Sequence, residues 1–352
     1  MSVQLQDSTV LQSVGTQVTV PHFIGNRQIT TTTKPIPQVG PGQLLLQVKA
    51  NALCGSERPQ WANGTDITPG HEAAGVVVAA GEGTTTPIGT AGVVFLMDFC
   101  GECRNCRQNF TNQCLQKRGD MGFNRDGGYG QYELINENLF FAVGDLPLTD
   151  ATLLLDIMGT GGHAIKRAQL VHSDIRTILI PGAGPIGLGV LAMAKLLLGN
   201  DVNVIISDVV PYRLKMAEDM GGLPVNSLEM TLAQGLKHHN LEAPDVSIDC
   251  AGKAVVRDEC MALLAHRGVL VSVAHGEGLQ INSLYGDFVA REMTLIGSEY
   301  FAYHELAENL PILLANRDYM GQIITHRMGV DEIQHAFELF FGGETGKVVI
   351  EQ

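Results

Sequence analysis

Two rhythms of apolar and polar positions divide the chain. Up to about residue 150, short apolar runs such as 44–48 and 75–79 alternate with turn-forming residues, including Pro35-Ile36-Pro37 and Gly40-Pro41-Gly42. Runs of that length, broken that often, predict the strands of a mostly β domain. From about residue 155 the apolar runs become near-continuous and alternate with helical periodicity. The run 177–181 (TILIP) leads through a Gly-rich turn into a helical stretch over 185–198, and 202–207 (VNVIIS) leads into a helix over 212–221. The strands 245–250 and 268–274 continue the series, with a helix over 254–265 between them. β-branched runs alternating with helices predict a parallel sheet covered on both faces. After about residue 298 the pattern predicts helices and a final strand over 347–350, returning to the first domain. The expected boundaries are therefore 1–154, 155–297 and 298–352.

Composition narrows the class. A chain of 352 residues, 45% hydrophobic and 17% charged, is long enough for two domains with their own cores. Lysine and arginine number 23 against 37 aspartates and glutamates, a formal charge of −14, which opposes binding to nucleic acid or anionic membrane. No apolar run approaches the roughly 20 residues of a membrane span, and the N-terminus lacks the pattern of a secretory signal. The expectation is a cytoplasmic protein. Seven cysteines, four of them crowded at Cys100, Cys103, Cys106 and Cys114, make a poor disulfide framework and suit metal ligation.

Two motifs carry chemistry. Gly182-Ala183-Gly184-Pro185-Ile186-Gly187 follows a predicted strand and opens a predicted helix. The first glycine permits the tight turn, the second lets a pyrophosphate approach the backbone, the third lets helix pack on strand, and the helix N-terminus offers free N–H groups. Asp208, at the end of the second strand, is placed to bond an adenosine ribose 2′-OH and repel a 2′-phosphate, which favours NAD. Arg213 lies near enough to accept a phosphate and keeps NADP open. The cysteine lobe, about 98–116, spaces four thiolates by two, two and seven residues, suiting a closed tetrahedral zinc site. An iron–sulfur cluster is the competing reading of the same spacing. Taken singly, Cys54 and His71 read more commonly as a buried cysteine and a satisfied core histidine, which spacing does not exclude.

These segments together resemble the medium-chain dehydrogenase/reductase superfamily, in its zinc-containing alcohol, sorbitol and threonine dehydrogenase branches. The resemblance runs through C-G-S at 54–56, G-H-E at 70–72, the cysteine lobe, D-G-G-Y at 126–129, the glycine turn and G-K-V-V at 346–349. It implies an α/β fold, with a GroES-like, mainly β catalytic domain and a Rossmann, doubly wound cofactor domain. It implies two zinc ions per chain and NAD, a small alcohol or ketone as substrate, and a homodimer or homotetramer. Cys54, His71 and Asp156 match the catalytic zinc ligands, with Asp156 as a helix N-cap the competing reading. Glu72 matches the glutamate behind the metal, which coordinates or acts through its neighbours. Ser56 matches the hydroxyl that takes the alcohol proton, but Pro59 stands where relatives often place a relay histidine. Thr160, Ala251, Val273, Ala274 and Ser298 match cofactor contacts. Trp61 is read as a substrate-pocket wall or a partly exposed loop aromatic, and His275, Tyr300, Phe301 and Tyr303 as pocket-lining or packing residues. The same pattern suits an alcohol or polyol dehydrogenase, a reductase of sugar or cyclitol ketones, and a non-catalytic NAD-binding relative.

Overall fold

The computed structural model describes residues 16–352; residues 1–15, which the sequence assigns to the first domain, lie outside the described residues. Two compact units emerge. One takes the described residues up to Leu155 with Ile324–Gly342 and Lys347–Gln352; the other takes Asp156–Ile323 and Gly343–Gly346. No helix among the described residues is long and apolar enough to cross a membrane.

The second unit is built on a six-stranded parallel sheet. In spatial order its strands are Leu223–Asn226, Asn203–Asp208, Thr177–Pro181, Val246–Asp249, Val269–Ser272 and Thr294–Gly297. This is the 3-2-1-4-5-6 order of the Rossmann fold. Its central strands run buried because helices cover both faces: Thr177–Pro181 has no exposed residue. The first crossover helix, Pro185–Leu198, opens with proline at its first turn and stops at Gly199, whose φ of 96° ends the helical path. Residues 298–323, expected to return to the first domain, group instead with this unit. Two contacts hold them there. The Phe301 ring lies against Gly159 so closely that a Cβ would stand 2.2 Å from it. Glu305, on the helix Glu305–Ala315, takes His163 Nδ1 at 2.6 Å and Lys166 Nζ at 3.1 Å.

The first unit carries a seven-stranded sheet, mainly antiparallel. Its spine is Gln43–Ala52, which pairs with Ala73–Ala80, Tyr132–Asn136 and the last strand Lys347–Glu351. A hairpin, Gln17–Gly25 with Gln28–Pro35, stands apart. The helix Ile333–Gly342 closes one face and brings Phe337 into a core with Phe23, Leu53, Trp61, Tyr129, Val348 and Ile350. Phe337 meets Phe23 edge-on at 5.0 Å and Tyr129 at 5.7 Å. Trp61, expected on a loop, sits 5% exposed on the short helix Arg58–Asn63 and stacks on Phe341 at 5.1 Å. Its large apolar ring is worth more in this cluster than in water. Phe337→Ala should lower stability by about 3–5 kcal/mol, because the ring leaves a cavity among rigid neighbours. A shift in the urea midpoint at unchanged m-value checks this.

Candidate metal and cofactor sites

The four lobe cysteines come together on short turns around the helix Arg104–Arg107. Four of their Sγ···Sγ separations are 3.9 Å (Cys100–Cys106), 3.4 Å (Cys103–Cys106), 4.0 Å (Cys103–Cys114) and 3.5 Å (Cys114–Cys100). A tetrahedron of sulfurs at zinc's bond length of about 2.3 Å has edges of roughly 3.8 Å. The observed spacing therefore fits one such ion, and leaves little room for several irons and their sulfides. The thiols differ in acidity. The backbone N–H of Cys106 lowers Cys103 to about 6, whereas burial pushes Cys106 up to about 12.

The second cluster is assembled from distant segments. Cys54 ends the stretch after Gln43–Ala52, His71 and Glu72 precede Ala73–Ala80, and Asp156 follows Leu155. One ligand atom from each of Cys54, His71, Glu72 and Asp156 lies within 4.8 Å of the others, and all four residues are buried. Asp156 opens the π-helical turn Asp156–Thr160 as its first residue, which disfavours the N-cap reading. His71 is oriented by a carboxylate: its Nδ1 stands 3.1 Å from Glu57 Oε1, which favours the tautomer with its proton on Nδ1 and its lone pair on Nε2. Glu57 is itself held by Tyr129 Oη, which donates to its Oε2 at 2.7 Å, and by the Cys54 N–H at 3.4 Å. Both Glu57 and Tyr129 are fully buried. Burial first, then the Glu57 charge, pushes the Tyr129 hydroxyl well above its usual range, so it stays a donor. Behind the cluster, the buried Lys347 Nζ pairs with Glu72 Oε1. Glu57, Tyr129 and Lys347 were not singled out from the sequence. Their signals were present: an acid three residues after Cys54, the tyrosine closing D-G-G-Y, and a lysine opening the apolar run of the final strand.

Ser56 is exposed on the turn Gly55–Glu57 beside Cys54, and Pro59 is exposed as well.

The glycine turn lies at the carboxyl end of Thr177–Pro181. Gly182 has φ of 94° and hydrogen-bonds Ser207 O through its N–H at 2.7 Å. A Cβ on Gly187 would lie 1.8 Å from Gly182 O, so helix and turn close only around glycine. At Gly184 a Cβ would meet only Arg213 Nη1, at 4.0 Å, leaving the turn open to a ligand. Asp208 closes the second strand. Its Oδ2 accepts from Ala183 N at 2.8 Å, and its Oδ1 from Val209 N and Val210 N at 2.8 and 3.0 Å. One acceptor position on Oδ2 remains, with Arg213 Nη1 3.9 Å away. Thr160 Oγ1 and Ser298 Oγ are buried with no hydrogen-bond partner among the described residues. Ala251, Val273 and Ala274 lie just beyond the strands Val246–Asp249 and Val269–Ser272, and all three are at least partly exposed. Of the other aromatic candidates, Phe301 is fully buried as packing and Tyr300 is 8% exposed, while Tyr303 is half-buried and His275 exposed.

The same two-part organisation appears in sequence comparison. A model of the alcohol dehydrogenase GroES-like domain matches residues 40–145, and one of zinc-binding dehydrogenases matches residues 185–315. The L-threonine 3-dehydrogenase of Francisella tularensis subsp. mediasiatica is 31% identical over 341 residues, covering 90% of this chain and 94% of that protein. The chain belongs to the zinc-containing medium-chain dehydrogenase/reductase superfamily. It is an oxidoreductase, of a family that acts on small molecules. Solved dehydrogenases share the fold. Galactitol-1-phosphate dehydrogenase from Escherichia coli superimposes with a TM-score of 0.84 at 24% identity, over 95% of this chain and 100% of that one. A short chain alcohol dehydrogenase of Escherichia coli CFT073, complexed with NADH, gives 0.84 at 21% identity, over 96% and 100%.

One buried acid of this dehydrogenase lies outside both clusters. Glu133, 1% exposed, has neither carboxylate oxygen hydrogen-bonded among the described residues. Burial, then repulsion from Asp126, pushes it up to about 8. The folded state therefore holds a proton that the unfolded state loses above about pH 4.5. Stability should fall as pH rises from there towards 8, by up to roughly 1.4 kcal/mol per pH unit. Glu133→Gln should flatten that slope, which denaturant titrations at pH 5, 6.5 and 8 would measure.

Proposed function

We propose that this chain is an NAD-dependent dehydrogenase with one catalytic and one structural zinc, acting on a secondary alcohol, polyol or cyclitol and the matching ketone. The observation that carries this reading is the buried convergence of Cys54, His71, Glu72 and Asp156 within 4.8 Å. Cys54, His71 and Asp156 are the ligands of the catalytic zinc. A thiolate, a neutral imidazole and a carboxylate together offset a divalent cation and leave a fourth position for substrate. Glu72, tied to Lys347, stands behind the metal. Cys100, Cys103, Cys106 and Cys114 close the structural site.

When bound, zinc supplies Lewis acidity towards the substrate oxygen and NAD supplies the hydride acceptor. The chain's own groups do the rest. Glu57 holds His71 in one tautomer and one orientation. Ser56 Oγ accepts the substrate's hydroxyl proton as it passes its own hydroxyl proton to water, which its exposure permits, so Pro59 need not carry it. Thr160 and Ser298 offer their buried hydroxyls to the cofactor. Asp208 keeps one acceptor for the ribose 2′-OH, which supports NAD over NADP. A homo-oligomer is part of the reading: Leu284, Tyr285, Val289 and Leu295 are exposed around the sheet-edge strand Thr294–Gly297, and a second copy would cover them. The similarity to L-threonine 3-dehydrogenase places L-threonine, itself a secondary alcohol, in the first substrate panel beside aliphatic alcohols, polyols and cyclitols.

Purified protein should hold two zinc ions per chain and reduce NAD with a member of that panel. Asp156→Asn should lose the catalytic zinc and most turnover, whereas Asp156→Cys should regain part of the zinc, since thiolate restores the charge. Full zinc and normal turnover in Asp156→Asn would remove Asp156 from the ligand set.

Asp208→Ser should shift the ratio of kcat/KM towards NADP by about tenfold or more, because both the ribose hydrogen bond and the repulsion of a 2′-phosphate disappear. Steady-state assays with each cofactor give the ratio directly; an unchanged value would contradict the NAD assignment.

A further inference from the structure

Arg257 lies outside every motif described above, yet it is the most heavily engaged buried cation of the second unit. It sits on the helix Ala254–Leu263 and is 7% exposed. Its Nε donates to Asp249 Oδ2 at 2.5 Å and its Nη2 to Ala274 O at 2.5 Å, while Nη1 donates to Glu277 O. Asp249, fully buried at the end of the strand Val246–Asp249, spreads the same hold. Its Oδ1 accepts from Ala251 N at 2.9 Å and Gly252 N at 3.0 Å. Its carbonyl takes Val273 N at 3.2 Å and Ala274 N at 3.0 Å. One ion pair thus fixes the two loops that follow the neighbouring strands Val246–Asp249 and Val269–Ser272. Those loops touch backbone to backbone: a Cβ on Gly252 would lie 2.3 Å from His275 O, and one on Gly276 2.2 Å from Gly252 O. On the outside, Glu277 accepts from Ala254 N at 2.9 Å and pairs with Lys253 at 3.2 Å.

Burying an arginine is costly, and an apolar side chain would fill the same space at lower desolvation cost. What only a guanidinium provides here is a rigid fork that sets the relative positions of a strand-end carboxylate and two loop carbonyls. The position of those loops gives that rigidity a use. In an open parallel sheet a dinucleotide lies across the carboxyl ends of the strands at the switch point, here between Thr177–Pro181 and Val246–Asp249. The glycine turn and Asp208 stand on the adenosine side. The loops at 250–252 and 273–277 stand on the other side, under the nicotinamide half. The geometry points to Arg257 as a positioning residue that preshapes the nicotinamide subsite, leaving the adenosine side to Asp208. This inference rests on the cofactor reading above.

The test uses the full-length, zinc-loaded protein and two probes: NADH, and ADP-ribose, which lacks the nicotinamide ring. Arg257→Lys keeps the charge opposite Asp249 but cannot reach both carbonyls. NADH affinity, measured by fluorescence titration, should fall about tenfold, while ADP-ribose affinity, measured by calorimetry, should change less than about twofold. Glu277→Ala loosens the same loop from its exposed side without disturbing the buried pair, and should show the same selectivity at about threefold. Equal losses for both probes would reduce Arg257 to a general structural role and overturn the inference. Unchanged NADH binding in both variants would overturn it as well. Failure of the unsubstituted protein to bind either probe would instead overturn the cofactor reading on which it rests.

Discussion

Acid buried around Cys54 is the constraint on which the candidate metal site depends. Glu57, Glu72 and Asp156 are all out of water, packed with a thiol and an imidazole. Carboxylates removed from solvent are stable only when paired, hydrogen-bonded or neutralised by a cation. Each is provided for separately. Lys347 comes from the last strand to Glu72, 275 residues away in sequence. Tyr129 and the Cys54 N–H hold Glu57, which in turn orients His71. Asp156 and the Cys54 thiol converge with His71 and Glu72, one ligand atom of each within 4.8 Å of the others. Even the aromatic core serves this arrangement, because Phe23 and Phe337 pack on the Tyr129 ring whose hydroxyl holds Glu57.

The second unit uses strand-end carboxylates in a parallel way. Asp208 and Asp249 each end a strand and accept the N–H groups of a following or neighbouring turn. Asp208 ties the second strand to the glycine turn through Ala183. Asp249, with Arg257, ties together the loops on the opposite side of the switch point. A parallel sheet leaves its loops without the ladder that a hairpin would continue, so side chains at the strand ends have to define their shape. On the proposed reading, both sides of the crevice that takes the dinucleotide are tied by hydrogen bonds within the protein, which lowers the ordering cost of binding.

The sequence by itself determined a good deal. Apolar runs of β-branched residues alternating with helical stretches specified the parallel sheet, since only strands buried on both faces read that way. The glycine spacing at 182–187 specified the strand-to-helix turn, because Gly182 takes a positive φ and Gly187 has no room for a Cβ. The cysteine spacing marked the lobe, because loops that short let all four sulfurs meet, and they lie within 4.8 Å of one another. All three signals are local, carried by neighbours along the chain.

Tertiary structure decided what depends on residues far apart. Cys54, His71 and Asp156 had no sequence pattern of their own beyond resemblance, and only folding brings their ligand atoms within 4.8 Å. Lys347 reads as a charge at the start of an apolar run until that strand pairs with Gln43–Ala52 and delivers it to Glu72. Trp61 reads as a loop aromatic until the helix Ile333–Gly342 arrives to bury it. Residues 298–323 read as returning to the first domain, but Phe301 against Gly159 and Glu305 against His163 retain them in the second. In each case the deciding energy is burial or charge pairing between segments distant in sequence, and local periodicity carries no record of such partners.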